Sequence, residues 1–195
     1  MKRITLILTM ALALATTATA QKFKFGVKGG LNFPSVSDFG IDDGVDANSS
    51  GYHAGLFASL RIAMFAVQPE ILYDFTRFEI PEPGIGDFES KLSYVQIPVI
   101  VKFYPIPILN LQFGPRFGVL VNELNELAGQ DLDIETLKST DFSLAFGLGA
   151  DLPFGLDVHA RYNLGIQDVD DTGLIETNNS NFQISIGYAL VKKGL

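Results

Sequence analysis

The sequence predicts an all-β protein, an eight-stranded antiparallel up-and-down transmembrane β-barrel. Hydrophobicity alternates with a period of two through almost the whole chain after residue 20. The face opposite the apolar one is crowded with glycine and other small residues instead of solvating side chains. The connections between alternating segments are by turns short and long.

Composition sets the outer limits. A chain of 195 residues suits one domain, and 47% hydrophobic with 18% charged residues excludes a disordered chain. The absence of Cys removes a disulfide scaffold, a zinc–cysteine site and a thiol nucleophile. A net charge of -8 argues against nucleic acid, whose phosphates need clustered Lys and Arg.

The first element is a targeting segment. Lys2 and Arg3 precede a mostly apolar stretch over residues 4–15, and Ala18-Thr19-Ala20 supplies the small residues that a signal peptidase reads. A dozen or so apolar residues fall short of the ~20 that a spanning helix needs. Residues 1–20 are therefore expected to be a secretory signal peptide cleaved after Ala20, with 21–195 as the outer-membrane barrel domain. Losing Lys2 and Arg3 takes the net charge from -8 to -10. No Cys follows the small residues, so a lipid anchor is excluded, and no later apolar run is long enough for a transmembrane helix.

Eight strands follow, each read from its alternation. Over 23–33, Phe23, Phe25, Val27, Leu31 and Phe33 oppose Lys24, Gly26, Lys28, Gly30 and Asn32. Over 52–60, Tyr52, Leu56 and Leu60 oppose His53, Gly55, Phe57 and Ser59. Over 65–76, Phe65, Val67, Ile71 and Tyr73 oppose Gln68, Glu70, Asp74 and Thr76. Over 92–104, Val95, Ile97, Val99 and Val101 oppose Tyr94, Gln96, Pro98 and Lys102. Over 111–121, Leu111, Phe113, Phe117 and Val119 oppose Gln112, Gly114, Arg116 and Gly118. Over 142–152, Phe142, Leu144, Phe146 and Leu148 oppose Ser143, Ala145, Gly147, Gly149 and Asp151. Over 156–166, Leu156, Tyr162 and Leu164 oppose Asp157, His159, Arg161 and Asn163. Over 182–190, Phe182, Ile184, Ile186 and Tyr188 oppose Gln183, Ser185 and Gly187.

Small residues fit the cramped lumen of an eight-stranded barrel, and the bulky face suits hydrocarbon. The apolar face is thus read as outward. The alternative, a soluble periplasmic lipocalin-like binder, would turn that face inward and solvate the other. The joins at 61–64, 105–110 and 153–155 are short, whereas those at 34–51, 77–91, 122–141 and 168–181 are long. Short periplasmic turns and long extracellular loops are the pattern of outer-membrane barrels, and both termini then lie at the periplasmic rim. Phe23, Phe25, Phe65, Phe103 and Tyr188 would form an aromatic girdle there. Helix-friendly composition over 122–138 suggests a short helix capping the barrel.

Several of these segments resemble the PorT-like outer-membrane β-barrel domain of Bacteroidetes-type bacteria. They are Phe25-Gly26-Val27-Lys28-Gly29-Gly30-Leu31-Asn32, Gly51-Tyr52-His53-Ala54-Gly55-Leu56-Phe57, Val67-Gln68-Pro69-Glu70-Ile71-Leu72-Tyr73 and Tyr94-Val95-Gln96-Ile97-Pro98-Val99. Gly147-Leu148-Gly149, Asp157 to Leu164 and Ile186-Gly187-Tyr188 extend the likeness to the second half. The resemblance implies an eight-stranded outer-membrane barrel, and an accessory role in secretion or envelope assembly. It departs at the end, because such barrels usually finish on an aromatic residue and this chain runs on to Lys192-Lys193-Gly194-Leu195.

The inward charges define the candidate site. Lys24, Lys28, Lys102, Arg116 and Arg161 face Glu70, Asp74, Asp151 and Asp157, with Lys28, Glu70, Arg116 and Arg161 expected at mid-height. Paired charges in a narrow lumen form a polar plug, since an unpaired buried charge costs several kcal/mol. A proton or ion relay is the sharper reading of intramembrane charges. His53 and His159 face the lumen without an adjacent nucleophile, and no G-x-S-x-G is present. No catalytic residue, metal site or cofactor is expected. The long loops carry 18 of the 22 acidic residues, yet neither Asp42-Asp43-Gly44-Val45-Asp46 nor Asp168-Val169-Asp170-Asp171 has EF-hand spacing. The expected protein is a monomeric, non-enzymatic outer-membrane barrel with a filled lumen. Its acidic loops would meet extracellular or envelope protein partners, with membrane lipid around the wall.

Overall fold

The computed structural model describes residues 21–34, 48–82, 86–127, 130–132, 140–166 and 180–194. The expected signal peptide and much of the long loops lie outside them. The strands are β1 (Gln21–Pro34), β2 (Asn48–Ile62), β3 (Phe65–Glu82), β4 (Gly86–Phe103), β5 (Leu109–Leu127), β6 (Gln130–Leu132), β7 (Thr140–Asp151), β8 (Leu156–Gly165) and β9 (Asn181–Lys193). Every pairing is antiparallel between neighbours, and β9 returns to β1, so eight strands close a barrel with β6 as a small appendage on β5. The eight expected strands are all present.

The facing follows the sequence pattern. Leu31, Phe65, Ile71, Phe117, Leu148, Ile186 and Leu190 stand exposed on the outer wall, whereas Lys28, Glu70, Lys102, Arg116 and Arg161 are buried inside. Such a surface is unstable in water and matches hydrocarbon. Phe65 packs on Phe103 at one rim; Tyr52 stacks on Phe75, and Phe117 packs at a tilt against Phe142, at the other. From Phe65 to Phe75 along β3, a tilted strand rises roughly 25 Å, the height of the apolar band of such barrels. Ile71 lies near the middle of that band. Its replacement by Arg is expected to cost about 2–4 kcal/mol in an unfolding titration in lipid.

The glycine-rich inner face has a steric cause beyond lumen size. A Cβ added to Gly30 would sit 1.9 Å from the Ile184 carbonyl oxygen, and one added to Gly55 1.9 Å from that of Ile71. The coiled wall leaves those positions no room for a side chain.

Three prolines interrupt the ladder. Pairing of β2 with β3 lapses beside Pro69, between Phe57↔Glu70 and Leu60↔Val67. It lapses between Pro69↔Val99 and Leu72↔Gln96 beside Pro98, and between Pro98↔Arg116 and Val101↔Phe113 beside Pro115. Each proline lacks the N–H that the ladder needs, and each time pairing resumes in the same register.

The short joins are tight. Ala63, with φ 52°, turns β2 into β3, and Pro153–Gly155 forms a 3-10 turn between β7 and β8. Gly155, at φ 92°, occupies a backbone region that other residues avoid. The long joins differ from expectation. Residues 77–82 and 86–91 are not loop but a continuation of β3 and β4, and 122–127 with 130–132 form strand pairs where a helix was expected. Hairpin pairing continues above the membrane, as far as Glu82↔Gly86 between β3 and β4 and Leu127↔Gln130 between β5 and β6.

Candidate functional site

The lumen is filled by buried charges that fall into three groups along its height. Nearest the periplasmic end, Lys24 Nζ lies 2.9 Å from both Asp151 and Asp157. Lys102 approaches Asp151 at 3.8 Å, and Tyr104 and Asn110 each donate to the same carboxylate at 3.0 Å. One level up, Glu70 accepts from Lys28 at 3.1 Å, from Arg161 at 2.9 and 2.7 Å, and from Gln68 at 2.7 Å. Arg161 also donates through Nε to Gln112 at 2.6 Å. Higher again, Asp74 accepts from both Arg116 and Asn32.

These contacts unite Lys28, Glu70 and Arg161 in one cluster and Lys102, Asp151 and Asp157 with Lys24 in another. Arg116 joins neither; its carboxylate is Asp74, nearer the extracellular end. The sequence pattern puts Asp141 among the acids of the 122–141 loop, but β7 begins at Thr140, so Asp141 pairs with Gly118 inside the barrel. It is 2% exposed and accepts from Gln96 at 3.4 Å. With Asp141 counted, the named lumen cations and carboxylates balance one for one. Leu72 and Ile100, fully buried, were also not singled out.

His53 has partners that no local sequence window contains. Its Nδ1 lies 2.8 Å from Asn32 Oδ1 and its Nε2 2.9 Å from Ser185 Oγ, although Ser185 is 132 residues away. Serine, imidazole and carboxamide thus stand in the order used for nucleophile activation. Here the three groups are almost completely buried, and Gln183 closes over Asn32 with a 3.1 Å hydrogen bond. An acyl group cannot reach Ser185 without unpacking the lumen, so the chain joins β1, β2 and β9. His159 meets Gln112 at 2.6 Å instead of Asp157.

The extracellular side is uneven. β3 and β4 have 18 residues each and β5 has 19, against 12 in β7 and 10 in β8. The surplus rises about 20 Å along the strands, as a ribbon built from β3, β4, β5 and β6. Its register sets Glu79 opposite Glu89, Glu89 opposite Glu126, and Glu126 opposite Asp131.

Over residues 19–171 the sequence matches the family described as outer membrane protein beta-barrel domain. The chain belongs to that family. This outer-membrane barrel is also similar to solved structures, at identities that show the fold alone. Ail, the attachment invasion locus protein of Yersinia pestis, in complex with the heparin analogue sucrose octasulfate, is 14% identical, with a TM-score of 0.52 over 87% of this chain and 99% of that one. Neisserial surface protein A is 17% identical, with a TM-score of 0.46 over 85% and 94%. No curated protein matches the chain. The outer-membrane barrel therefore sits in lipid, and the soluble lipocalin-like alternative falls with the outward apolar face.

Proposed function

We propose that this outer-membrane barrel is a non-enzymatic interaction protein whose filled lumen is a rigid support and whose extracellular ribbon is the working surface. The height of β3, β4 and β5 carries the reading. A spanning strand needs about 9–11 residues, and the surplus contributes nothing to closing the barrel. The acidic register of the ribbon and the acidic loops favour a cationic extracellular partner; a sulfated ligand of the kind bound by Ail would be repelled. On this reading residues 1–20 direct export, the barrel is monomeric, and the lumen charges form a plug through which no ion passes.

The test is a trimmed barrel in which residues 78–90 and 123–139 are replaced by tight turns. It is expected to keep the compact form that migrates fast on a gel and slows on boiling. Its affinity for a decalysine peptide should fall by about tenfold or more, as when several charge pairs are lost. Unchanged peptide binding would remove the ribbon from the reading. A PorT-like accessory role in secretion or assembly predicts instead a stable complex with periplasmic or inner-membrane components that survives trimming.

A further inference from the structure

The periplasmic rim carries a second feature, opposite in sign to the extracellular loops. Lys22 stands across from Arg61 in the β1–β2 register, Lys24 across from Lys192, and Phe23 across from Lys193. Lys24 is held by Asp151 and Asp157, but among the described residues Lys22, Arg61, Lys192 and Lys193 have no carboxylate partner. Arg61 is fixed as a platform: its guanidinium stacks 3.6 Å over Tyr104 and donates to the carbonyls of Ala63 and Pro107. Beside it opens a cavity of about 160 Å³, lined by Lys22, Lys24, Ser59, Arg61, Tyr104 and Asp151, with room for a tetrahedral oxyanion. Lys192 Nζ hangs over the β7–β8 turn, 3.1 Å from where a Gly155 side chain would begin.

We propose that this basic collar seats the phosphate of an anionic phospholipid of the periplasmic leaflet. Height selects lipid over a soluble anion. On the outer wall, Phe23 is the cross-strand partner of Lys193, and the Phe65–Phe103 pair, with ring centroids 5.3 Å apart, lies at the same end. Aromatic rings of this kind mark the level of the headgroups, so Lys193 stands on the outer wall where lipid phosphates lie, while Lys22, Arg61 and Lys192 stand at the same height on the inner side of the rim, around the mouth of the barrel. Lysine stems reach such phosphates without burying charge.

The experiment is native mass spectrometry of the full barrel, exchanged into phosphatidylglycerol or phosphatidylcholine, beside the variant K22Q/K192Q/K193Q. Arg61 is left in place because it ties two turns together. The unaltered barrel should retain phosphatidylglycerol in preference, and the preference should fall roughly fivefold per lysine removed. Heat-modifiable mobility of the variant should be unchanged, since these lysines are exposed. Equal retention of the two lipids, or a preference that survives the triple substitution, would overturn the proposal. Inorganic phosphate that binds the mouth while phosphatidylglycerol fails to displace it would assign the cavity to a soluble anion, and overturn the lipid assignment too.

Discussion

Replacing Glu70 by Gln is expected to destabilise the barrel by about 3–5 kcal/mol, a large fraction of the total stability of a folded domain. Glu70 is the shared acceptor of Lys28 and Arg161, and all three side chains are shielded from solvent. Without its charge, two cations remain in a low-dielectric lumen, and their desolvation is no longer offset. The measurement is a urea titration in lipid, following the loss of the compact gel form. A second substitution, Lys28→Met on the Glu70→Gln background, should recover part of the loss by removing one stranded charge. A Glu70→Gln barrel as stable as the original would mean that the lumen is wet and that the plug reading is wrong.

A larger effect is expected from Gly30→Val. Its Cβ would lie 1.9 Å from the Ile184 carbonyl oxygen and 2.7 Å from His53 Cε1. Side-chain rotation does not relieve a collision with backbone, so β1 cannot approach β9 and the cylinder cannot shut. No compact band should form at any temperature. Gly29→Ala is the matched control one residue away: its Cβ meets nothing nearer than 3.4 Å, and the change should stay within about 1 kcal/mol. A compact band from Gly30→Val would show that the β1–β9 seam can open enough to admit a side chain.

Much of this architecture was legible in the sequence because the bilayer imposes a simple rule. Each strand must alternate, so Val67, Ile71 and Tyr73 on one side and Gln68, Glu70 and Asp74 on the other declare both strand and facing. Strand ends were less legible. Above the membrane no solvent change marks where pairing stops, so residues 77–82, 86–91 and Asp141 read as loop although they lie in paired strands. The partners in the lumen were illegible for a different reason. Lys24 meets Asp157 across 133 positions, Arg161 meets Glu70 across 91, and His53 meets Ser185 across 132. Such distances are fixed by closure and by the strand-to-strand stagger, which composition does not record.

Pro69, Pro98 and Pro115 occupy neighbouring strands, and the lapses they cause line up across β2, β3, β4 and β5. An apolar groove lined by Phe25, Leu56, Pro69, Ile71 and Ile97 opens on the lipid side at the same place. A hoop stitched evenly all round resists flattening equally in every direction; this one has a crease. Lateral pressure from the surrounding lipid should therefore flatten the cylinder along that line first, and amide protons next to the crease should exchange before those of β8 and β9.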